Sequence, residues 1–196
     1  MSTVKAKNHQ IGSDGTASNN FTIYQPSTPD GTIRIGQGVA GAITSDIITI
    51  SSSGIKLAST AAPAFRAYRN GNQTISATTT TKVAFNAETF DTNNNYDSTT
   101  NYRFTPTVAG YYQVNAMIGF TTGAGQLSLY KNGSNYQTGL EVTYNASLGG
   151  HIPINDLVYL NGSTDYIEVF VYLTSGTTIS SGETNTSFSA FLARSA

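Results

Sequence analysis

From Tyr112 to Phe120 every second residue is apolar: Tyr112, Val114, Ala116, Ile118 and Phe120 share one side, with Gln113 and Asn115 on the other. A period of two is the signature of a strand with one face buried, and no helix can use it. Glycine, serine, threonine and asparagine are abundant while charged residues are only 11% of the 196-residue chain, against about 25% in ordinary globular proteins. The solvent-facing positions are therefore filled with short neutral polar groups, which suit strands and turns. No window joins Ala, Leu, Glu, Lys and Arg to a 3.6-residue apolar period, so the chain reads as all-β.

The remaining sequence is divided accordingly. Residues 1–57 are rich in Gly, Ser, Thr and Asn, with strand-length apolar bursts at Phe21-Thr22-Ile23-Tyr24, Ile33-Arg34-Ile35 and Ile47-Ile48-Thr49-Ile50. Asp30-Gly31 supplies a turn before the second burst. Three or four short strands cannot enclose a core. This region is expected to take its buried area from neighbouring copies or a docking surface, as an extended N-terminal anchoring or oligomerisation region. Ser51-Ser52-Ser53-Gly54 and Ala58-Ser59-Thr60-Ala61-Ala62-Pro63 read as linker, with 58–63 joining the anchor to a domain spanning 64–196.

In that domain Asn70-Gly71, Asn132-Gly133 and Asn161-Gly162 are the dipeptides that two-residue hairpins demand. They predict many strands at sandwich or barrel spacing. Between Tyr166 and Leu173 both faces are apolar: Ile167, Val169, Val171 and Leu173 on one, Tyr166, Phe170 and Tyr172 beside Glu168 on the other. A sheet of a sandwich covers one face only. Tyr166, Glu168, Phe170 and Tyr172 are therefore candidates for a subunit interface, the alternative being a loop or the N-terminal region folded over them.

The order Phe85-Asn86, Asn95-Tyr96-Asp97, Tyr102-Arg103-Phe104-Thr105-Pro106 and Gly110-Tyr111-Tyr112 resembles the globular head of complement C1q, a jelly roll shared with tumour-necrosis-factor ligands. Leu127 to Gly133 is similar to its hairpin and Ser187 to Leu192 to its closing strand, where Ala190 stands in place of the commoner Gly. The resemblance spans nearly all of 64–196 and implies a jelly-roll β-sandwich that works as a homotrimer. In it Phe104, Tyr112, Phe120 and Phe188 would fill the space between the sheets, Pro106 would end a ladder and Gly110 would permit a bend. The run Pro29 to Gly36, with Thr44 to Ile50 and Ser53-Gly54 after it, resembles the leading segment of bacteriophage fibre and head-decoration proteins, cyanophages among them. That likeness implies a virion surface protein made in the host cytoplasm, a capsid decoration, head fibre or tail-fibre tip, with capsid or tail proteins as partners.

The chemistry expected is thin. A net charge of −1 gives no field to gather nucleic acid or an anionic membrane surface. The first ten residues hold no apolar run that would serve as a signal peptide or span, so the chain is expected to be made and kept soluble. Cysteine is absent. Of the two histidines, His9 falls in the anchor region and His151 beside Gly150 and Pro153, and no Gly-x-Ser-x-Gly elbow accompanies them, so no catalytic residue is expected. Glu88, Glu141, Glu168 and Glu183 are far apart in sequence, which disfavours a glycan-degrading pair, and a secreted C1q-like recognition ligand is the remaining alternative. No cofactor is expected. Asp91, Asp97, Asp156 and Asp165 sit in turn-like contexts where oxygen ligands would suit calcium, though no Asp-x-Asn-x-Asp loop is present. Asn95 and Tyr96, with the segment Ser175 to Thr184, are the expected ligand loops, Tyr96 stacking on a host glycan.

Overall fold

The computed structural model describes residues 8–57, 62–144, 150–175 and 178–196. It divides into two compact units, Met1–Ala61 and Ala62–Ala196, and the division falls inside the 58–63 stretch. In the first unit β1 (Asn8–Ile11), β2 (Phe21–Tyr24), β3 (Ile33–Val39), β4 (Ala42–Ser51) and β5 (Gly54–Leu57) form one five-stranded antiparallel sheet in chain order. The Ser51–Gly54 stretch expected to begin the linker is instead a tight hairpin: Ser51 pairs with Gly54, whose φ of +123° only glycine takes readily. Among its described residues the buried side chains are polar. Asn20 is fully enclosed, its side chain donating to the carbonyls of Asp14 (2.7 Å) and Thr16 (3.1 Å) and accepting from the Asp14 N–H (3.0 Å). Thr22 is also fully buried and donates to the Gly38 carbonyl at 3.0 Å.

The second unit continues with β6 (Ala64–Tyr68), β7 (Gln73–Thr74), β8 (Thr81–Lys82), β9 (Ala87–Asp91), β10 (Tyr96–Asp97), β11 (Arg103–Phe104) and β12 (Ala109–Phe120). There follow β13 (Gly123–Lys131), β14 (Ser134–Thr138), β15 (Val142–Tyr144), β16 (Gly150–Asn161), β17 (Ile167–Leu173), β18 (Thr178–Ser180) and β19 (Ser187–Ser195). One sheet runs β10-β11-β17-β13-β14, with β15 also on β13 and β8 also on β17. The other runs β7-β18-β12-β19-β6-β9, with β16 along the free side of β12. The alternation read in 112–120 sets the inward face: Tyr112, Val114, Ile118 and Phe120 are buried against Leu127, Leu129, Val158, Leu160, Val169 and Val171 in one continuous core.

At one end of this core lies an aromatic cluster. Phe65 stacks on Tyr96 (centroids 4.7 Å apart, planes within 6°) and on Phe104 (4.5 Å), and meets Phe188 edge-on at 4.9 Å. Phe104 in turn meets Tyr112 at 5.4 Å. Phe120 is buried at the far end of β12, where it pairs with Ile179 of β18.

Of the three Asn-Gly turns only one closes a hairpin. Asn132 and Gly133 take φ of +54° and +78° between β13 and β14, as a type I′ turn needs. Asn70-Gly71 and Asn161-Gly162 join strands that do not pair with each other. The reason at the latter is visible: the Asn161 side chain accepts from the N–H groups of Ser163, Thr164 and Asp165 at 3.0, 2.9 and 2.9 Å, holding a loop that crosses between sheets. Gly110 likewise serves a different end from the expected bend. A Cβ there would lie 2.4 Å from the Arg194 carbonyl oxygen and 2.6 Å from Leu192 Cδ1, so glycine lets β19 approach where its register with β12 shifts.

Candidate functional site

Four large apolar side chains lie uncovered on the outer face of β12, β16 and β19. Tyr111, Leu157, Tyr159 and Phe191 are between 40% and 50% exposed. Register places them together: Tyr111 is opposite Tyr159, while Gln113 is opposite Leu157 on one side and Phe191 on the other. The Tyr111 and Tyr159 rings are 5.5 Å apart. Lys131 flanks the strip, donating to the Tyr159 carbonyl at 2.7 Å and pairing with Asp165 at 2.9 Å. A contiguous apolar strip with a charged rim is the anatomy of a protein contact surface. The signal lay in the sequence, since Tyr111 shares its parity with Gln113 and Asn115, the side assigned to water.

The face of β17 expected to be an interface is instead largely closed by the chain itself. Glu168 is 4% exposed and ion-paired with Lys82, which arrives because β8 pairs with β17 at Phe170 and Val171. Phe170 lies against Tyr130 with centroids 4.0 Å apart, and the Arg103 guanidinium sits 4.3 Å over the Tyr166 ring. Tyr166, Phe170 and Tyr172 are each half-buried. A buried carboxylate needs a cation, and Lys82 pulls the covering segment across the strand. Lys82→Met should therefore lower stability by about 2 kcal/mol, short of a fully enclosed pair because water reaches the lysine. Urea midpoints of Lys82→Met and of the double variant with Glu168→Gln check this, the double variant recovering most of the loss.

Tyr96 is likewise corrected. Its ring is 4% exposed, stacked on Phe65, and its hydroxyl donates to the Phe85 carbonyl at 3.0 Å, so it is a core residue and offers no platform for a sugar. Burial also pushes its hydroxyl pKa far above the ordinary tyrosine value. Asn95, 8% exposed, faces inward to hold the turn, accepting the Thr105 N–H on its carbonyl at 2.8 Å. Asn95 and Tyr96 nonetheless form part of the wall of a polar cleft of about 600 Å³, together with Glu88, Asn94, Asn101 and Arg103. Residues 176 and 177 of the Ser175–Thr184 segment lie outside the described residues.

The carboxylates are engaged by their own turns. Asp97 accepts N–H bonds from Thr100 (2.9 Å), Thr99 (3.0 Å) and Asn101 (3.0 Å), and these donors hold its pKa well below the usual carboxylate range. Asp91 accepts from Asn93 and Tyr96, Asp165 from Asn132 and Asn161, and Asp156 from Leu157. Among the described residues no three of His, Cys, Asp and Glu converge as a metal-binding group. His9 lies on β1, and His151 is 3.4 Å from the Asn185 side-chain oxygen. Because the folded state lowers the Asp97 pKa, its contribution is full above the unfolded value near 3.9 and fades as pH falls toward the folded one. Asp97→Asn should cost about 1 kcal/mol in urea at pH 5 and pH 7 alike, with a smaller gap at pH 3. A gap unchanged across those three pH values would contradict the assignment.

No family model matches the sequence, and no curated protein does. Solved structures do resemble it. The globular domain of the zebrafish complement 1qA protein aligns over 68% of this chain and 98% of its own, with a TM-score of 0.53 and 17% identity. Murine APRIL aligns over 67% and 98%, with a TM-score of 0.51 and 11% identity. The second unit is a C1q/TNF-type jelly roll. Eiger TNF from S. frugiperda extends the likeness, at 12% identity and a TM-score of 0.52 over 69% of this chain and 94% of its own. At such identities the jelly roll shares a fold with these proteins, and its surface residues have to be read on their own terms.

Proposed function

We propose that this chain is a non-enzymatic surface appendage of a bacteriophage virion, a homotrimer whose jelly roll projects outward and whose first unit fastens it to capsid or tail. The observation that carries the oligomeric part is the strip of Tyr111, Leu157, Tyr159 and Phe191. Four exposed apolar side chains gathered on three neighbouring strands, around Gln113, are what a subunit contact leaves uncovered in one protomer. The jelly-roll likeness supports three as the copy number. The virion assignment is supported by the N-terminal sequence likeness and by a first unit that buries no large apolar side chain among its described residues. In this reading host glycans meet the cleft that Asn95 and Tyr96 help to line, where Asn94, Asn101 and Arg103 offer hydrogen-bonding groups and the buried Tyr96 ring does not stack on the sugar. Three weak sites held on one particle would act together.

The test is the solution mass of the full chain and of residues 62–196, followed by co-sedimentation of each with capsids of the phage that encodes it. Trimers in both, with only the full chain sedimenting with the particle, are expected. A monomeric 62–196 fragment would remove the jelly-roll interface, and binding by that fragment as strong as by the full chain would remove the anchor.

A further inference from the structure

Strand register in the first unit sorts its side chains onto two unlike faces. Residues directly opposite one another in an antiparallel sheet point to the same side. His9, Ile23, Ile35 and Ile48 therefore form one row, and Ile33, Ile50 and Ile55 a second on the same face. Ile11 and Phe21 begin a third, which Gln37 and Ser45 complete. Every large apolar residue of this unit that stands exposed, from Ile11 at 55% and Ile33 at 54% to Ile55 at 71%, lies on that one face. No Lys, Arg, Asp or Glu among the described residues of the sheet shares it.

The opposite face is already occupied. Arg34 donates to Asp46 at 2.8 Å and pairs with Asp30, while the Tyr24 hydroxyl donates to Asp46. Ile43 and Tyr24 lie so close over Gly36 that a Cβ there would be 2.4 Å from Ile43 Cγ2. The sheet thus has one finished polar side and one unfinished apolar side. A single layer cannot bury its apolar face, so a second layer must come from elsewhere.

We propose that this layer is the same face of other copies of the chain, making the first unit a second seat of oligomerisation. Size decides the occupant. Five strands about 4.8 Å apart, with about 3.3 Å of rise per residue, present a face of roughly 400–700 Å². That is below the ~800 Å² per partner typical of complexes that assemble from free solution. A separate partner would have to bind this face unaided. Copies of the chain would not, because each sheet is covalently joined to a jelly roll of the proposed trimer, which raises its local concentration to the millimolar range. A face with no Lys, Arg, Asp or Glu among its described residues, and His9 as its one ionisable group there, carries little to select a charged partner, whereas flat β-branched rows suit one another. The inference rests on the trimer reading for that proximity. It leaves the polar face and the turns for the virion.

The chain has no cysteine, so single-cysteine variants of the full-length protein report cleanly. Ile33→Cys and Ile50→Cys probe the apolar face, and Thr49→Cys and Lys56→Cys the opposite one. With trimeric mass retained, mild oxidation should link Ile33→Cys or Ile50→Cys into covalent dimers. Maleimide should label both at least tenfold more slowly than Lys56→Cys, at an exposed position of the opposite face. Equal labelling rates in a trimer would overturn this inference alone, even where the face becomes protected on virions. Slow labelling that persists once Leu157→Arg has made the chain monomeric would overturn it as well, since the cover would then belong to the same chain. A monomeric mass for the unsubstituted protein would overturn both this inference and the trimer reading.

Discussion

Replacing Phe65 by alanine should lower the stability of the second unit by about 3–5 kcal/mol, the range for a large aromatic removed from a closed core. Phe65 is fully buried and is the one ring in direct contact with Tyr96, Phe104 and Phe188 at once. Its loss would open a cavity bounded by both sheets and would strip stacking partners from β10 and β11, each only two residues long. Those strands have few other contacts to hold them. Phe104→Ala should fall in the same range, whereas Phe90→Ala, at a ring 47% exposed on β9, should change the urea midpoint little. A Phe65 loss below about 1.5 kcal/mol, measured on 62–196, would show that the cluster is not the centre of the core.

A charge in the middle of the strip should break the proposed trimer while leaving the fold intact. Leu157→Arg points outward from β16, half exposed, so the protomer has room for the new side chain. In a closed trimer it appears three times. At about 2 kcal/mol per contact, the lower bound for an interface hot spot, the three together amount to about 6 kcal/mol, a drop of about ten-thousand-fold in the association constant. Sedimentation at micromolar concentration should then find monomers with unchanged far-ultraviolet dichroism. Tyr136→Arg is the control, because Tyr136 is just as exposed, at 46%, but belongs to β14 in the other sheet. On residues 62–196, a Leu157→Arg protein that stays trimeric, or a Tyr136→Arg protein that dissociates, would move the interface to the other sheet.

Much of the jelly roll is legible in the sequence because its long strands keep period two on the inward side, as 112–120 does throughout and 150–161 does apart from Asp156. The short ones are not. Asn93-Asn94-Asn95-Tyr96 has the composition of a surface loop, and nothing local shows that Tyr96 turns inward to meet Phe65, which comes from a strand 31 positions earlier. That contact is made by topology. The β17 face misleads for the same reason: three aromatics signal a covered surface, but the cover is Lys82 and its neighbours, whose own sequence carries no sign of where they pack. In the first unit alternation fails at the bulges. The pairing of β3 with β4 shifts between Ile35 and Gly36, so Ile47 and Ile48 do not simply alternate and the apolar face emerges only from register. The strip on β12 and β16 was present in the parity of Tyr111, Leu157 and Tyr159, but polar Gln113 and Asn115 beside Tyr111 masked it.

The position of β19 has a consequence for how the protein is made. It is the last strand of the jelly roll to leave the ribosome, yet it sits between β6, the first, and the long β12. Until it arrives, β6 and β12 each present an unpaired edge, and the aromatic cluster lacks Phe188. Synthesis at about 5–20 residues per second leaves those edges open for several seconds while the intervening strands emerge. Pairings of such long sequence separation are also slow to close once the chain is free. The neutral, Asn- and Thr-rich surface that the composition first brought to notice gives little charge repulsion to protect nascent chains during that interval, so crowded synthesis on one messenger is where misassembly would begin.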